Sequence, residues 1–230
     1  MKRICSIFLV FSLILGISAC SSDGTKEATQ VVNQYYKDLQ AGDFTKAQTL
    51  YTDDVEDGNG LSAISASISG LENSFGEDTL SDQQKTTIND SANAFMQTAM
   101  KTYVKKYSII RTEIKKDKSI VLTVKVKGFD VNDFQNIDTN AIENSVAPKY
   151  EEQLNQVTSQ EQAYDILSNM LVDLFSAYSQ AVENLDTKAH AEQCTLVQQG
   201  NQWKIKKIVV QQIKDGFVKK SVYLIFYDRF

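Results

Sequence analysis

The feature that most constrains the fold is a change in the spacing of apolar residues in the middle of the chain. After Ser81, apolar side chains recur every three or four positions, and Gln84 completes a capping box for the start of a helix. In two later segments, 110–114 and 120–126, alternate positions are apolar, and a charged turn separates the segments. A long amphipathic helix followed by such a hairpin predicts an α+β fold, with helices packed on a twisted antiparallel sheet.

These two patterns also predict which side chains are buried. The helix is expected to bury a stripe of six: Ile88, Ala92, Phe95, Met96, Ala99 and Tyr103. The first strand of the hairpin is expected to bury Ile110, Thr112 and Ile114, and the second Ile120, Leu122, Val124 and Val126. Most intervening positions are charged or polar, so the opposite face of the hairpin is expected to lie in water.

Further helices are predicted on both sides of this unit. Helical spacing favours residues 25–41 and 44–51, joined at Gly42 and Asp43, and then residues 61–71. After the hairpin it favours residues 138–157, with Ile142, Val146, Tyr150, Leu154 and Val157 inward and a break at Pro148. A long helix follows, with Ser159 and Gln162 as a capping box and a buried stripe of Ala163, Leu167, Met170, Leu171, Leu174, Tyr178, Ala181 and Leu185.

A second hairpin is predicted near the end of the chain, over about 188–198 and 202–213, with its turn at Gly200-Asn201. Trp203 and Ile205 fall on one face of its second strand, whereas Ile208 and Val210 fall on the other parity. A bulge or twist between residues 205 and 208 is therefore expected.

The first twenty residues predict export. Lys2 and Arg3 precede an apolar run from Ile4 to Ile17, which is shorter than the roughly 20 residues that span a bilayer. The next residues, Ser18 and Ala19, are small, so the stretch reads as a cleavable signal peptide.

The sequence Ile17-Ser18-Ala19-Cys20 resembles the bacterial lipobox. The resemblance implies cleavage before Cys20, acylation of that cysteine by palmitate-type chains, and anchoring on the outer face of the cell membrane; an ordinary secretory signal with a chance cysteine is the alternative. The expected organisation is a lipoprotein signal peptide 1–19, a lipidated cysteine and polar tether 20–26, a single α+β domain 27–214 with helical insertions at about 55–80 and 135–186, and an apolar tail or last strand 215–230.

Charge and cysteine content exclude several classes of protein. The chain has a formal net charge of −5, and removing residues 1–19 removes two bases and no acids, which gives −7. Such an acidic chain is not a general nucleic-acid binder. Cys5 leaves with the leader and Cys20 is expected to be modified, so Cys194 has no partner for an intrachain disulfide.

The order of elements resembles the cone-shaped fold of the nuclear transport factor 2-like superfamily, as found in small lipoproteins of Gram-positive bacteria. The motifs are Ala41-Gly42-Asp43 with Ala47 between the first two helices, and a W-x-I strand at Trp203 and Ile205. Residues 27–51, 81–128 and 187–213 carry the resemblance, which implies helices on a twisted antiparallel sheet around a concave interior. Four aromatic residues are expected either to line a pocket there or to form its core: Tyr35, Tyr36, Phe95 and Trp203.

No catalytic, cofactor-binding or metal site is predicted. His190 shares strand parity with Cys194, but it is expected to be an exposed strand residue, and Cys194 a buried structural thiol. Residues 53–58 are rich in Asp and Glu, yet Val55 and Ile64 stand where an EF-hand loop needs oxygen ligands. A solvated acidic turn is predicted instead.

The charges are unevenly distributed along the chain. Residues 53–90 hold nine acidic residues against Lys85, and residues 101–127 hold nine basic residues against Glu113 and Asp117. The basic segment predicts either contact with anionic headgroups, an anionic cell-envelope polymer or an acidic protein, or an ordinary solvated strand face. Because aromatic residues do not alternate with the bases, single-stranded nucleic acid is not expected as a partner. The predicted function is a non-enzymatic binding or scaffold module, with a small-molecule carrier or an enzyme using the cone interior as the alternative.

Overall fold

The computed structural model describes residues 24–74, 80–214 and 217–218. Over these residues it is a mixed structure of helices packed against a twisted sheet, so the predicted α+β class is confirmed, and the arrangement is consistent with a nuclear transport factor 2-like cone. The leader, with its lipobox and Cys20, and most of residues 215–230 lie outside the described residues.

The helices are α1 (Thr25–Ala41), α2 (Phe44–Gln48), α3 (Leu61–Ser74), α4 (Asp82–Tyr103), α5 (Val131–Gln135), α6 (Thr139–Val146), α7 (Pro148–Asn155) and α8 (Gln160–Glu183). The strands are β1 (Tyr51–Asp57), β2 (Lys106–Ile114), β3 (Ile120–Gly128), β4 (Lys188–Gln199), β5 (Gln202–Lys214) and β6 (Phe217–Val218).

The sheet is mixed, whereas the sequence predicted a purely antiparallel one. Its order is β1-β5-β4-β3-β2, with the short β6 antiparallel to the end of β5. β1 runs parallel to β5 and replaces the acidic turn predicted after Tyr51. The helix predicted over residues 44–51 is present but ends at Gln48. Only Tyr51 and Thr52 of β1 are buried, because this strand forms an edge and most of its side chains face solvent. Without an alternating apolar pattern, its sequence does not reveal a strand.

The helices form two layers on one face of the sheet. α1 and α4 pack next to the strands, and α8 packs on α4 together with α6 and α7. The predicted capping box at Ser81 and all six residues of the α4 stripe are confirmed. The break at Pro148 is also confirmed, since this residue begins α7. Among the described helices, none is long and apolar enough to cross a membrane.

The outer helix layer is less buried than predicted. In α8 only Ser168 and Val182 are buried, and neither belongs to the predicted stripe. All eight residues of the predicted stripe are half-buried. The prediction that Leu154 points inward is wrong, because its side chain is 46% exposed. α8 packs mainly on α4 and also contacts α6 and α7, and its apolar residues stay partly exposed.

A bulge in β2 changes which of its side chains face the core. All four predicted core residues of β3 are buried, but Ile110 and Ile114 of β2 are 53% and 52% exposed. Ile109 pairs with Val124 and Arg111 with Thr123, which leaves Ile110 as an extra residue. The burial predicted for Ile110 is therefore wrong, and Tyr107 and Ile109 pack against the core instead. Beyond the bulge, Thr112 and Ile114 pair with the buried Leu122 and Ile120 and so keep the predicted face, but their side chains stay exposed because β2 is an edge strand.

The irregularity predicted in the last long strand is confirmed. Thr195 of β4 pairs with Lys207, and Leu196 pairs with Ile205, so Lys206 has no partner in the register. This extra residue returns Ile208 to the core face, and both Ile205 and Ile208 are buried.

Candidate functional site

A buried carboxylate lies where the two helices of the inner layer meet the sheet. Glu192, on the central strand β4, has no exposed surface. Its Oε2 accepts a hydrogen bond of 2.6 Å from the Tyr36 hydroxyl of α1. Its Oε1 accepts one from the Tyr103 hydroxyl of α4 and lies 3.1 Å from Nε2 of His190. Both carboxylate oxygens therefore have partners, which three different elements supply.

The electrostatics favour an ionised glutamate among protonated phenols. Burial raises the pKa of Glu192, but the imidazole of His190 and the hydroxyls of Tyr103 and Tyr36 outweigh burial and hold it below its ordinary value of 4.5. The pKa values of Tyr36 and Tyr103 are well above 10.0, because both phenols are buried and because Glu192 opposes a second negative charge beside it. Each tyrosine is thus a donor and Glu192 the acceptor.

The polar cluster continues toward β1. The hydroxyls of Tyr35 and Tyr51 are 2.8 Å apart, and Asn59 Nδ2 donates to the Tyr35 oxygen at 3.1 Å. The rings of Tyr35 and Tyr36 meet edge to face with centroids 5.1 Å apart, which joins this pair to the phenols around Glu192. Burial also raises the pKa of the neighbouring Asp57 carboxyl, whose Oδ2 accepts from the Ser62 amide at 2.7 Å.

The four predicted pocket residues do not form one site. Tyr35 and Tyr36 belong to the buried cluster. Phe95 lies between α4 and α8, with its ring centroid 6.1 Å from that of Phe175. Trp203 is half-buried at the beginning of β5, where its indole lies against Gly24 at the start of α1.

The structure corrects the prediction for His190. It was expected to be exposed, but it is 2% exposed, because β4 lies between β3 and β5 and the Tyr103 ring packs 5.4 Å from the imidazole. Cys194 is buried as predicted, with its Sγ 3.6 Å from the Tyr36 hydroxyl. Burial raises the pKa of the Cys194 thiol well above its ordinary value, so this cysteine is not an activated nucleophile.

Sequence reasoning missed Glu192 as a site residue. The alternation itself contained the information, since His190, Glu192, Cys194 and Leu196 share one parity and the last two are apolar. An acidic residue on the buried parity of a strand indicates a polar cluster in the core, because a buried charge needs partners.

The cluster is suited to joining elements rather than to chemistry on a substrate. Tyr35, Tyr36, Tyr103 and Glu192 have no exposed surface, so no water-sized space adjoins them. One buried atom next to the carboxylate, Nδ1 of His190, has no hydrogen-bond partner. Within the described part of the chain, no group of three His, Cys, Asp or Glu side chains is placed to hold a metal ion.

Comparison with family models, with curated proteins and with solved structures finds no significant match to this chain. The relationship to nuclear transport factor 2-like lipoproteins therefore stays a prediction from the sequence motifs.

Proposed function

We propose that this protein is a lipid-anchored module on the outer face of the cell membrane, which binds or scaffolds a partner and has no catalytic activity. Its location rests on the leader, whose basic start, apolar run and lipobox place Cys20 next to a short polar tether. Three acidic or polar residues follow the cysteine before α1 begins near Gly24, so the folded part would lie close to the membrane surface.

The observation that carries the binding role is the complete burial of the Glu192 cluster. In an enzyme or carrier that used the cone, the titratable groups would have to contact a ligand. Here both oxygens of Glu192 are occupied by protein donors, and the surrounding tyrosines have no exposed surface. We therefore infer that a partner would bind to the outer surface of the domain.

The anchor is tested by replacing the modified cysteine. Cys20→Ala is expected to abolish incorporation of labelled palmitate into the protein in its host, because it removes the lipobox cysteine and Cys194 is buried. Cys5→Ala is the matched control, since it removes a leader cysteine outside the lipobox, and it should be labelled like the wild type. Labelling that persists in Cys20→Ala would overturn the anchor.

One observation favours the alternative of an enzyme or carrier. The unpaired Nδ1 of His190 beside Glu192 resembles an incomplete contact that a ligand would satisfy. Native mass spectrometry of protein taken from its own host decides between the two functions. We expect the mass of the lipidated chain alone; a bound small molecule that is lost in His190→Gln would establish the alternative.

A further inference from the structure

Three lysines gather on one face of the first hairpin, at the end where β2 begins and β3 finishes. Lys106 and Lys127 are directly paired across the two strands, and Lys125 lies two residues from Lys127, opposite Ser108. All three are exposed and share the sheet face that points away from the helices. We call Lys106, Lys125 and Lys127 the lysine triad.

The triad has no compensating charge among the described residues. Like charges placed directly opposite in an antiparallel pair are destabilising. None of the three ammonium groups forms an ion pair with a described residue. On the neighbouring strand β4, Lys125 and Lys127 pair with Ala191 and Ala189, which carry no charge. The other end of the same hairpin differs, because there Arg111 and Lys115 both contact the carboxylate of Glu113.

We propose that the lysine triad binds a linear polyanion of the cell envelope, such as a polymer of phosphate groups. The three lysines are neighbours, either paired across the two strands or two residues apart on one strand. Their ammonium groups can therefore contact successive anionic groups along one polymer. Binding would replace the repulsion between Lys106 and Lys127 by attraction to the polymer, and salt would weaken it.

The position of the triad favours a polymer over the headgroups of the membrane that holds the protein. This step rests on the proposed anchor at Cys20. α1 begins where Gly24 meets Trp203 and, near its other end, Gln40 donates to the carbonyl of Lys105, next to the triad. That stretch of α1 is about 24 Å long, whereas the four-residue tether reaches about 14 Å at most. The triad therefore lies at the end of the sheet opposite the tether.

The test compares two triple variants of the full chain, purified with its lipid in uncharged detergent. Lys106→Gln with Lys125→Gln and Lys127→Gln is expected to weaken binding of long-chain polyphosphate by about tenfold or more at low salt. The matched control, Lys115→Gln with Lys116→Gln and Lys118→Gln, changes the charge equally at the other end of the hairpin. Its affinity should stay within about twofold of the wild type. Equal losses in the two variants, or no loss in the first, would overturn the proposal.

Two further measurements keep the result interpretable. The thermal unfolding midpoint of the triad variant should not fall, since the substitutions remove repulsion, so weaker binding would not reflect misfolding.

Polyphosphate affinity should also be equal in phosphatidylcholine nanodiscs and in nanodiscs containing phosphatidylglycerol, because the Debye length at physiological salt is only about 8 Å. Binding that disappears in the anionic discs would show that the triad faces the membrane instead. A failure of the palmitate test would overturn the anchor alone, because the comparison in detergent does not depend on it.

Discussion

At the residue scale, the most consequential group is the Glu192 carboxylate. It joins α1, α4 and β4 through hydrogen bonds from Tyr36, Tyr103 and His190 in a region without exposed surface. Removing one partner from such a cluster leaves the others buried and unpaired, which is more destabilising than the small net value of each hydrogen bond suggests. The conservative substitution of Glu192 therefore tests the whole cluster.

Glu192→Gln is expected to lower the free energy of unfolding by about 3 kcal/mol at neutral pH, because the amide cannot accept from both phenols as the carboxylate does. The folded protein holds the pKa of Glu192 below its ordinary value of 4.5. The stabilisation is thus present above that value and is lost as the pH falls through the folded-state pKa. Urea unfolding of wild type and variant, at neutral pH and below pH 4.5, should show the difference between them shrinking in acid.

The control for this measurement is Glu113→Gln, which changes a partly exposed carboxylate paired with Arg111 and Lys115. Its unfolding curve at neutral pH should coincide with that of the wild type. Asp57 acts in the opposite sense, since burial raises its pKa and its contribution is lost as the pH rises. Asp57 is present in both wild type and Glu192→Gln, so its contribution cancels in the difference between their free energies of unfolding. A difference that stays constant down to acidic pH would contradict the ionised state of Glu192.

At the element scale, the end of β3 meets the end of α4 so closely that only glycine fits. A Cβ added at Gly128 would overlap the backbone carbonyl oxygens of Tyr103 and Thr102. Because a backbone cannot move aside as a side chain can, Gly128→Ala should lower the free energy of unfolding by about 3 kcal/mol. Circular dichroism during denaturant unfolding measures this change.

The same substitution inside α3 gives a matched comparison. A Cβ at Gly70 would meet nothing within 4 Å, and this residue is helical. Gly70→Ala should therefore stabilise the protein by about 0.5–1 kcal/mol through helix propensity. If the two variants shifted the unfolding midpoint in the same direction, the close approach of β3 to α4 would be wrong.

Elements with local sequence patterns were predictable, and elements without them were not. Ser81 and Gln84 determine the start of α4 through contacts within one turn, and Pro148 begins α7 because it cannot continue a helix. β1 has no such local determinant. Its pairing depends on the backbone of β5 and on ion pairs such as Lys206 with Asp54, which only the folded chain brings together.

At the scale of the whole molecule, stability is expected to differ between the layers. The strands β3 and β4 lie inside the sheet under α1 and α4, whereas α8 contacts α4, α6 and α7 and buries fully only Ser168 and Val182. Regions with fewer buried apolar contacts open more readily. Amide hydrogen exchange should therefore be faster in residues 160–174 than in residues 120–126 and 191–197.

The end of α8 provides an internal control for this experiment. Val182 is buried, and Phe175 and Tyr178 pack against the main core, so residues 175–183 should exchange more slowly than the preceding half of the helix. Uniform protection along α8, equal to that of β3, would contradict a weaker outer layer.

The candidate site was only partly predictable because its parts are distant in the sequence. Tyr36 and Glu192 are 156 residues apart, and Tyr103 and Glu192 are 89 apart. Strand parity can place Glu192 on the buried face of β4, and helical spacing can place Tyr36 and Tyr103 on the buried faces of α1 and α4. Neither pattern shows which buried hydroxyl meets which carboxylate, since that depends on how the helices cross the sheet.

The pairing of β1 with β5 also has a consequence for the order in which the chain can fold during its synthesis. β1 is made early, yet Tyr51 and Glu56 pair with Ile205 and Lys207, which are made near the end. The tyrosines of α1 and α4 likewise meet Glu192 only once β4 exists. Because such distant contacts form late and slowly, the first two thirds of the chain cannot reach their final arrangement alone. Until the last hairpin is made, the nascent chain therefore leaves the edge strand β1 unpaired and the tyrosines of α1 and α4 without their acceptor.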